Sequence, residues 1–187
     1  MINNQSIKRV CSFYVSDWHF VTMLLPHINE EVNEKVKIAT ILQTEEQTYM
    51  ETLLEKLKID NRQKILNIDW KSKRLDDVNL DYEKGTELEI IIKGNLEYME
   101  RANKMVENII KDKYENVTII NCYNVEDSKA SIADIICKND MILNTSGMKN
   151  KNEYITNIKI ANEWKNISFI REGIIWKKVI DYLIWLV

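Results

Sequence analysis

The sequence predicts an α/β protein of Rossmann-like type, a mainly parallel sheet of about six strands flanked by helices, with a C-terminal β-hairpin. Three observations predict it. Short β-branched runs alternate with helix-patterned segments along most of the chain, the pattern of repeated strand–helix–strand units. One proline and four glycines in 187 residues are too few for an all-β fold rich in tight turns. No apolar run reaches the roughly 18 residues that read as a bilayer-spanning helix.

The run at 9–15 (Arg-Val-Cys-Ser-Phe-Tyr-Val) is β-branched and aromatic and predicts a first, buried strand. Val21, Leu24, Leu25, Ile28 and Val32 then recur at helical spacing, with Ser16 or Asp17 as the cap. Pro26 falls inside that helix and costs about 3 kcal/mol there, which predicts a kink or a break. A second strand is expected at 36–42, then Thr44 followed by a helix over 45–57 with Met50, Leu53, Leu54 and Leu57 on one side. Further strands are expected at 65–68, 88–92, 117–121 and 141–143, and 71–86 reads as a charged surface loop. Helices fill the intervals, one opening at Asn95 with Met99, Ala102, Val106 and Ile109 inward, one over 128–137, and one from about Asn152. The stretch 88–117 reads as a strand-helix insertion. A hairpin at 167–177 has Gly173 in its turn, and an apolar segment, 179–187, completes the 165–187 region.

The length suits a single domain spanning 1–187. A net charge of −3 argues against binding long nucleic acid. The polar start lacks the apolar core of a secretory signal, so the cytoplasm is the expected compartment, with no membrane partner. Cys11, Cys122 and Cys137 are widely spaced in apolar surroundings and read as reduced core thiols. They and the two histidines have no metal-ligand spacing, so no metal is expected. The Gly-x-Gly-x-x-Gly fingerprint, the Walker loop and the Gly-x-Ser-x-Gly elbow are all missing, and no cofactor is expected.

Ligands of open parallel sheets lie beyond the carboxyl ends of the strands. That rule selects Ser16, Asp17, Trp18 and His19; Thr44 and Glu45; Asp69 and Trp70; Lys93, Gly94 and Asn95; residues 124–127; and the turn Asn144, Thr145, Ser146, Gly147 leading to Lys149. The last combines hydroxyls, a glycine able to take positive φ, and a cation, the ingredients of a small anion site at the entry to a helix. A polar connection with no ligand explains the same residues.

Three stretches resemble the CRISPR-associated Rossmann-fold (CARF) domains. Residues 11–17 (Cys-Ser-Phe-Tyr-Val-Ser-Asp) are similar to that family's first strand and ligand loop. Residues 142–149 (Ile-Leu-Asn-Thr-Ser-Gly-Met-Lys) resemble its strand ending in Asn-x-Thr-Gly-Gly-Thr-Lys, departing at Ser146 and Met148. Residues 167–177 resemble its closing hairpin. The resemblance implies a homodimer holding a cyclic oligoadenylate in a symmetric pocket. In members that cut the ring without metal, the matching positions are Ser16 and Lys149 as catalytic residues. Asp17, Trp18, His19, Asn144, Thr145, Ser146 and Gly147 then contact ligand. No arginine is followed four to six residues later by histidine, as in the attached ribonucleases of the family, so the expectation is a stand-alone sensor, ligand sink or ring nuclease. Two other readings stay open: a small-molecule enzyme using Asp17 and His19 as acid and base, and a non-catalytic interaction protein built on the apolar 179–187 segment.

Overall fold

The first apolar run becomes β1 (Ser6–Tyr14), buried from Val10 onward, and it takes an interior place in the sheet. There follow α1 (Asp17–Glu31), β2 (Val36–Leu42), α2 (Gln47–Lys56), α3 (Arg62–Leu66), a 3-10 turn at Leu75–Asp77, β3 (Glu87–Lys93), α4 (Leu96–Ile110), β4 (Asn116–Asn124), α5 (Val125–Ser128), α6 (Ile132–Lys138), β5 (Met141–Asn144) and β6 (Gly147–Asn150). The structure is a computed structural model that describes residues 6–32, 36–83, 85–111, 113–114, 116–128 and 131–154. The expected hairpin at 167–177 and the apolar segment 179–187 lie outside the described residues.

The six strands stand in the order β2-β3-β4-β1-β5-β6, the first five parallel and β6 antiparallel to β5. The fold is therefore the expected Rossmann-like α/β type. One face of the sheet packs on α1, α2 and α3 through Phe20, Leu24, Ile28, Met50, Leu54 and Ile65. The other packs on α4 through Met99, Ala102, Val106 and Ile110, and on α6 through Ile132, Ile135 and Ile136. Among the described residues no helix is long and apolar enough to cross a membrane.

Residues 65–68 do not form the expected strand. Ile65 and Leu66 lie in the short helix α3, and Ile68 follows it. A four-residue apolar run carries too little periodicity to separate strand from helix, and here packing decides. Ile65, Ile68 and Trp70 all enter the core beneath α1 and α2, and the Trp70 indole N–H donates to the Ile65 carbonyl at 3.0 Å. The place beside β2 goes to β3, so the stretch expected as an insertion supplies an interior strand and its covering helix. The turn at 144–147 is also corrected. It leads into β6, not directly into a helix. Cys11 and Cys122 are buried as expected, but Cys137 is exposed at the end of α6.

Helix α1 runs through Pro26 without interruption. Pro26 and Thr22, whose carbonyl loses its usual i+4 donor, both face solvent, so water can satisfy the freed oxygen. Deeper in the same helix, His27 is buried with its Nε2 3.0 Å from both carboxylate oxygens of Glu89 on β3. Burial alone pushes the His27 pKa down, but Glu89, aided by Glu31 and Glu30, outweighs it and holds the value above that of a free imidazole.

Two outcomes follow. Pro26→Ala restores the missing backbone bond at an exposed site and raises stability by roughly 1–3 kcal/mol in urea unfolding. The protonated His27 pair contributes stability that is complete below about pH 6.5 and is lost as pH rises through the raised His27 value. Urea midpoints measured from pH 6 to 9 fall with that dependence, and in Glu89→Gln the dependence is largely removed.

Candidate functional site

Parallel pairing brings the carboxyl ends of β1 to β5 to one edge of the sheet. Alternation along β3 puts Leu88, Ile90 and Ile92 against α4, and turns Glu89, Ile91 and Lys93 toward the α1 face. Lys93, at the end of an otherwise apolar run, is thus carried inside and is only 3% exposed. Its ammonium donates to Asp17 Oδ1 at 2.9 Å, Thr44 Oγ1 at 2.8 Å and Glu46 Oε1 at 2.5 Å. All three ammonium protons are used. Its Nζ also lies 5.1 and 5.2 Å from the ring centres of Tyr14 and Phe20.

The partners come from helix starts. Asp17 opens α1, whose Ser16 cap accepts from the His19 N–H at 3.2 Å. Glu46 is the residue before α2, and its own N–H donates to the Trp70 carbonyl at 2.9 Å. Both carboxylates thus belong to residues at the positive end of a helix, which helps two anions share one buried cation. Burial still wins at Glu46 and holds its pKa above the usual carboxylate range, despite the opposing pull of Lys93. Glu46 Oε2 has no hydrogen-bond partner among the described residues. Burial likewise raises the Tyr14 phenol, with Asp17 and Glu46 adding to the shift.

The residues singled out from sequence fall into two groups at this edge. Asp17, Trp18 and His19 lie on the α1 side. Trp18 is 45% exposed and packs edge-on to Tyr49 of α2, ring centres 5.1 Å apart. His19 Nδ1 accepts the Val15 N–H at 3.0 Å, and burial lowers its pKa, so the ring is neutral with its proton on Nε2. Asp17 meanwhile is engaged with Lys93 rather than with His19.

The second group is the β5–β6 hairpin. Asn144 Oδ1 accepts the Ser146 N–H at 2.8 Å and its Nδ2 donates to the Tyr154 hydroxyl at 2.9 Å. Gly147 closes the turn with φ +94°, a conformation that disfavours any side chain there. Thr145 and Ser146 are exposed at the tip. Lys149 pairs with Ile142, which faces α6, so Lys149 stands on the opposite side of the sheet from Lys93. The register Ser12↔Leu143 between β1 and β5 sets Ser16 and the turn side by side. No hydrogen bond joins the two groups among the described residues.

Glu46 escaped the sequence reading, and Lys93 appeared there only as one of many strand-end residues. A usable signal was present. A lysine ending the run Leu-Glu-Ile-Ile-Ile-Lys shares a face with Glu89, and a lysine on a buried face requires a carboxylate partner. Which carboxylate was not legible, because Asp17 and Glu46 are distant in sequence. Among the described residues no group of histidine, cysteine, aspartate or glutamate is arranged to hold a metal ion. Comparison with protein-family models and with curated proteins finds no match for the chain.

Replacing Lys93 by methionine leaves Glu46 as an uncompensated buried charge. Urea unfolding of Lys93→Met near neutral pH is expected to show a loss of roughly 3–5 kcal/mol, shrinking toward acid pH as Glu46 takes up a proton.

Proposed function

We propose that the chain binds a cyclic oligoadenylate at the carboxyl edge of its sheet, as a homodimer whose two equivalent edges face one ring. The observation that supports this reading is the adjacency of β1 and β5, which puts the Ser16–Asp17 loop beside the Asn144–Gly147 turn. These are two of the stretches that resemble CARF domains. A two-fold pair of identical patches suits a ligand that is itself symmetric.

The charge distribution suggests how the ring lies. Lys93 is already neutralised by Asp17 and Glu46 and offers nothing to a phosphate. The phosphates belong on the hairpin side, near the exposed Thr145 and Ser146 hydroxyls, with Lys149 as the nearest cation of that strand pair. Ser16 serves as the cap of α1, so binding is the better supported activity. Cleavage by Ser16 and Lys149 is the secondary one.

Isothermal calorimetry with cyclic tetra- and hexa-adenylate tests the proposal. The expected result is saturable heat at one ring per two chains, weakened about tenfold or more in Lys149→Ala, a loss of roughly 1.4 kcal/mol. No heat from either ring overturns it.

A further inference from the structure

The outer strands of the sheet are β2 and β6, and β2 is covered along only part of its free side. Residues 69–73 run beside its carboxyl half. There the Lys73 N–H donates to the Leu42 carbonyl at 2.8 Å, Leu42 bridges Ser72 in parallel, and the Lys73 ammonium reaches the Thr40 carbonyl at 3.0 Å. Backbone groups on one side of a strand recur at every second residue, so those of Ile38 point outward with those of Thr40 and Leu42. They have no hydrogen-bond partner among the described residues.

Beside Ile38 lies a cavity of about 460 Å³. Residues 36–40 line it consecutively, a run of about 13 Å at the rise of an extended strand. Its two lips come from opposite faces of the sheet. Lys64 and Ile68 stand on the α3 side, and Tyr82 and Lys37 on the α4 side, where alternation puts Lys37 with Ala39 and Ile41. A groove that straddles a sheet edge in this way has the shape of an added strand.

Charge selects the occupant. Lys73 is spent on Asp69, at 3.2 Å, and on Thr40. Lys37 and Lys64 are exposed, and neither has an ion-pair or hydrogen-bond partner among the described residues. The groove thus presents one unneutralised ammonium on each lip. A second copy of β2 brings lysines of its own to this edge and is repelled. A small dicarboxylate meets the lysines but has no proton to give the Ile38 carbonyl, whereas a peptide main chain supplies both a donor and an acceptor.

We infer that the free edge of β2 takes up an extended acidic segment of a partner protein as an added strand. Its main chain pairs with Ile38. Neighbouring side chains of a strand point to opposite faces, so two consecutive acidic residues meet Lys37 and Lys64, one on each lip. The groove shares no residue with the proposed ring site, and the two readings stand or fall separately.

Calorimetry with a hexapeptide capped at both ends, Thr-Val-Glu-Glu-Val-Thr, tests the inference on the wild-type chain. Saturable heat at one peptide per chain is expected, with a Kd of about 1 mM or tighter; absence of saturable heat overturns it. The same peptide with lysines for its glutamates, and the same peptide N-methylated at both glutamates, are each expected to bind about tenfold weaker or more. Equal binding of the lysine peptide overturns the charge assignment, and equal binding of the N-methylated one overturns the strand pairing. Succinate binding as tightly as the hexapeptide also overturns the pairing and leaves a site for small acids. Lys37→Glu combined with Lys64→Glu changes two exposed side chains, and thermal unfolding checks that the fold is kept. This variant is expected to reverse the preference between the acidic and lysine peptides, and an unchanged preference in the folded variant overturns the inference.

Discussion

The ammonium of Lys93 ties the carboxyl ends of three strands together. From β3 it reaches Asp17 after β1 and Thr44 and Glu46 after β2. Burying a charge is costly unless every donor finds an acceptor, and here all three do. The neighbouring loops are thereby constrained. Gln43 adds to the bracing, since its N–H donates to the Lys93 carbonyl at 2.9 Å and its side-chain oxygen accepts the Asn95 N–H at 2.7 Å. The edge where open parallel sheets meet ligands is thus built around a fixed and already neutralised cation.

The same physics explains how α1 is seated. Glu89 and Lys93 are four residues apart on β3 and share a face, and each meets the helix that crosses above them. Asp17 anchors the start of α1 and His27 its latter half, while Phe20, Leu24 and Ile28 fill the space between. A slide of the helix along the sheet would separate the buried His27–Glu89 pair and the half-buried Asp17–Lys93 pair as well as displacing the apolar stripe. Pro26 is tolerated in this setting because it faces water on the far side of the helix.

Much of this architecture could be read from residue pattern. The runs ending at Tyr14, Leu42, Lys93 and Asn124 are strongly β-branched, and they became strands with ends shifted by only a few residues. Helix α4 was legible because Met99, Ala102 and Val106 keep strict helical spacing and Asn95 caps it, accepting the Tyr98 N–H at 2.8 Å. The failures came from short segments. Ile65 to Ile68 is apolar enough for a strand, yet only packing into the core with α1 and α2 settles it as helix and loop. Gly147 signalled a turn correctly, but whether a strand or a helix follows depends on the free edge of β5, which no local residue reveals.

For the candidate site the division is similar. Ser16, Asp17 and the Asn144–Gly147 turn were found because strand ends and turn formers are local properties of the chain. By itself the sequence determined the α/β class, the caps of α1 and α4 and the set of polar residues that follow strands, since all of these arise from propensity and periodicity within a few residues. Only the tertiary structure decided that Asp17 pairs with Lys93 and not His19, that Glu46 joins them, and that Lys149 lies on the other side of the sheet. Those outcomes depend on strand order and on which loops share an edge, and that order is set by the packing of distant segments.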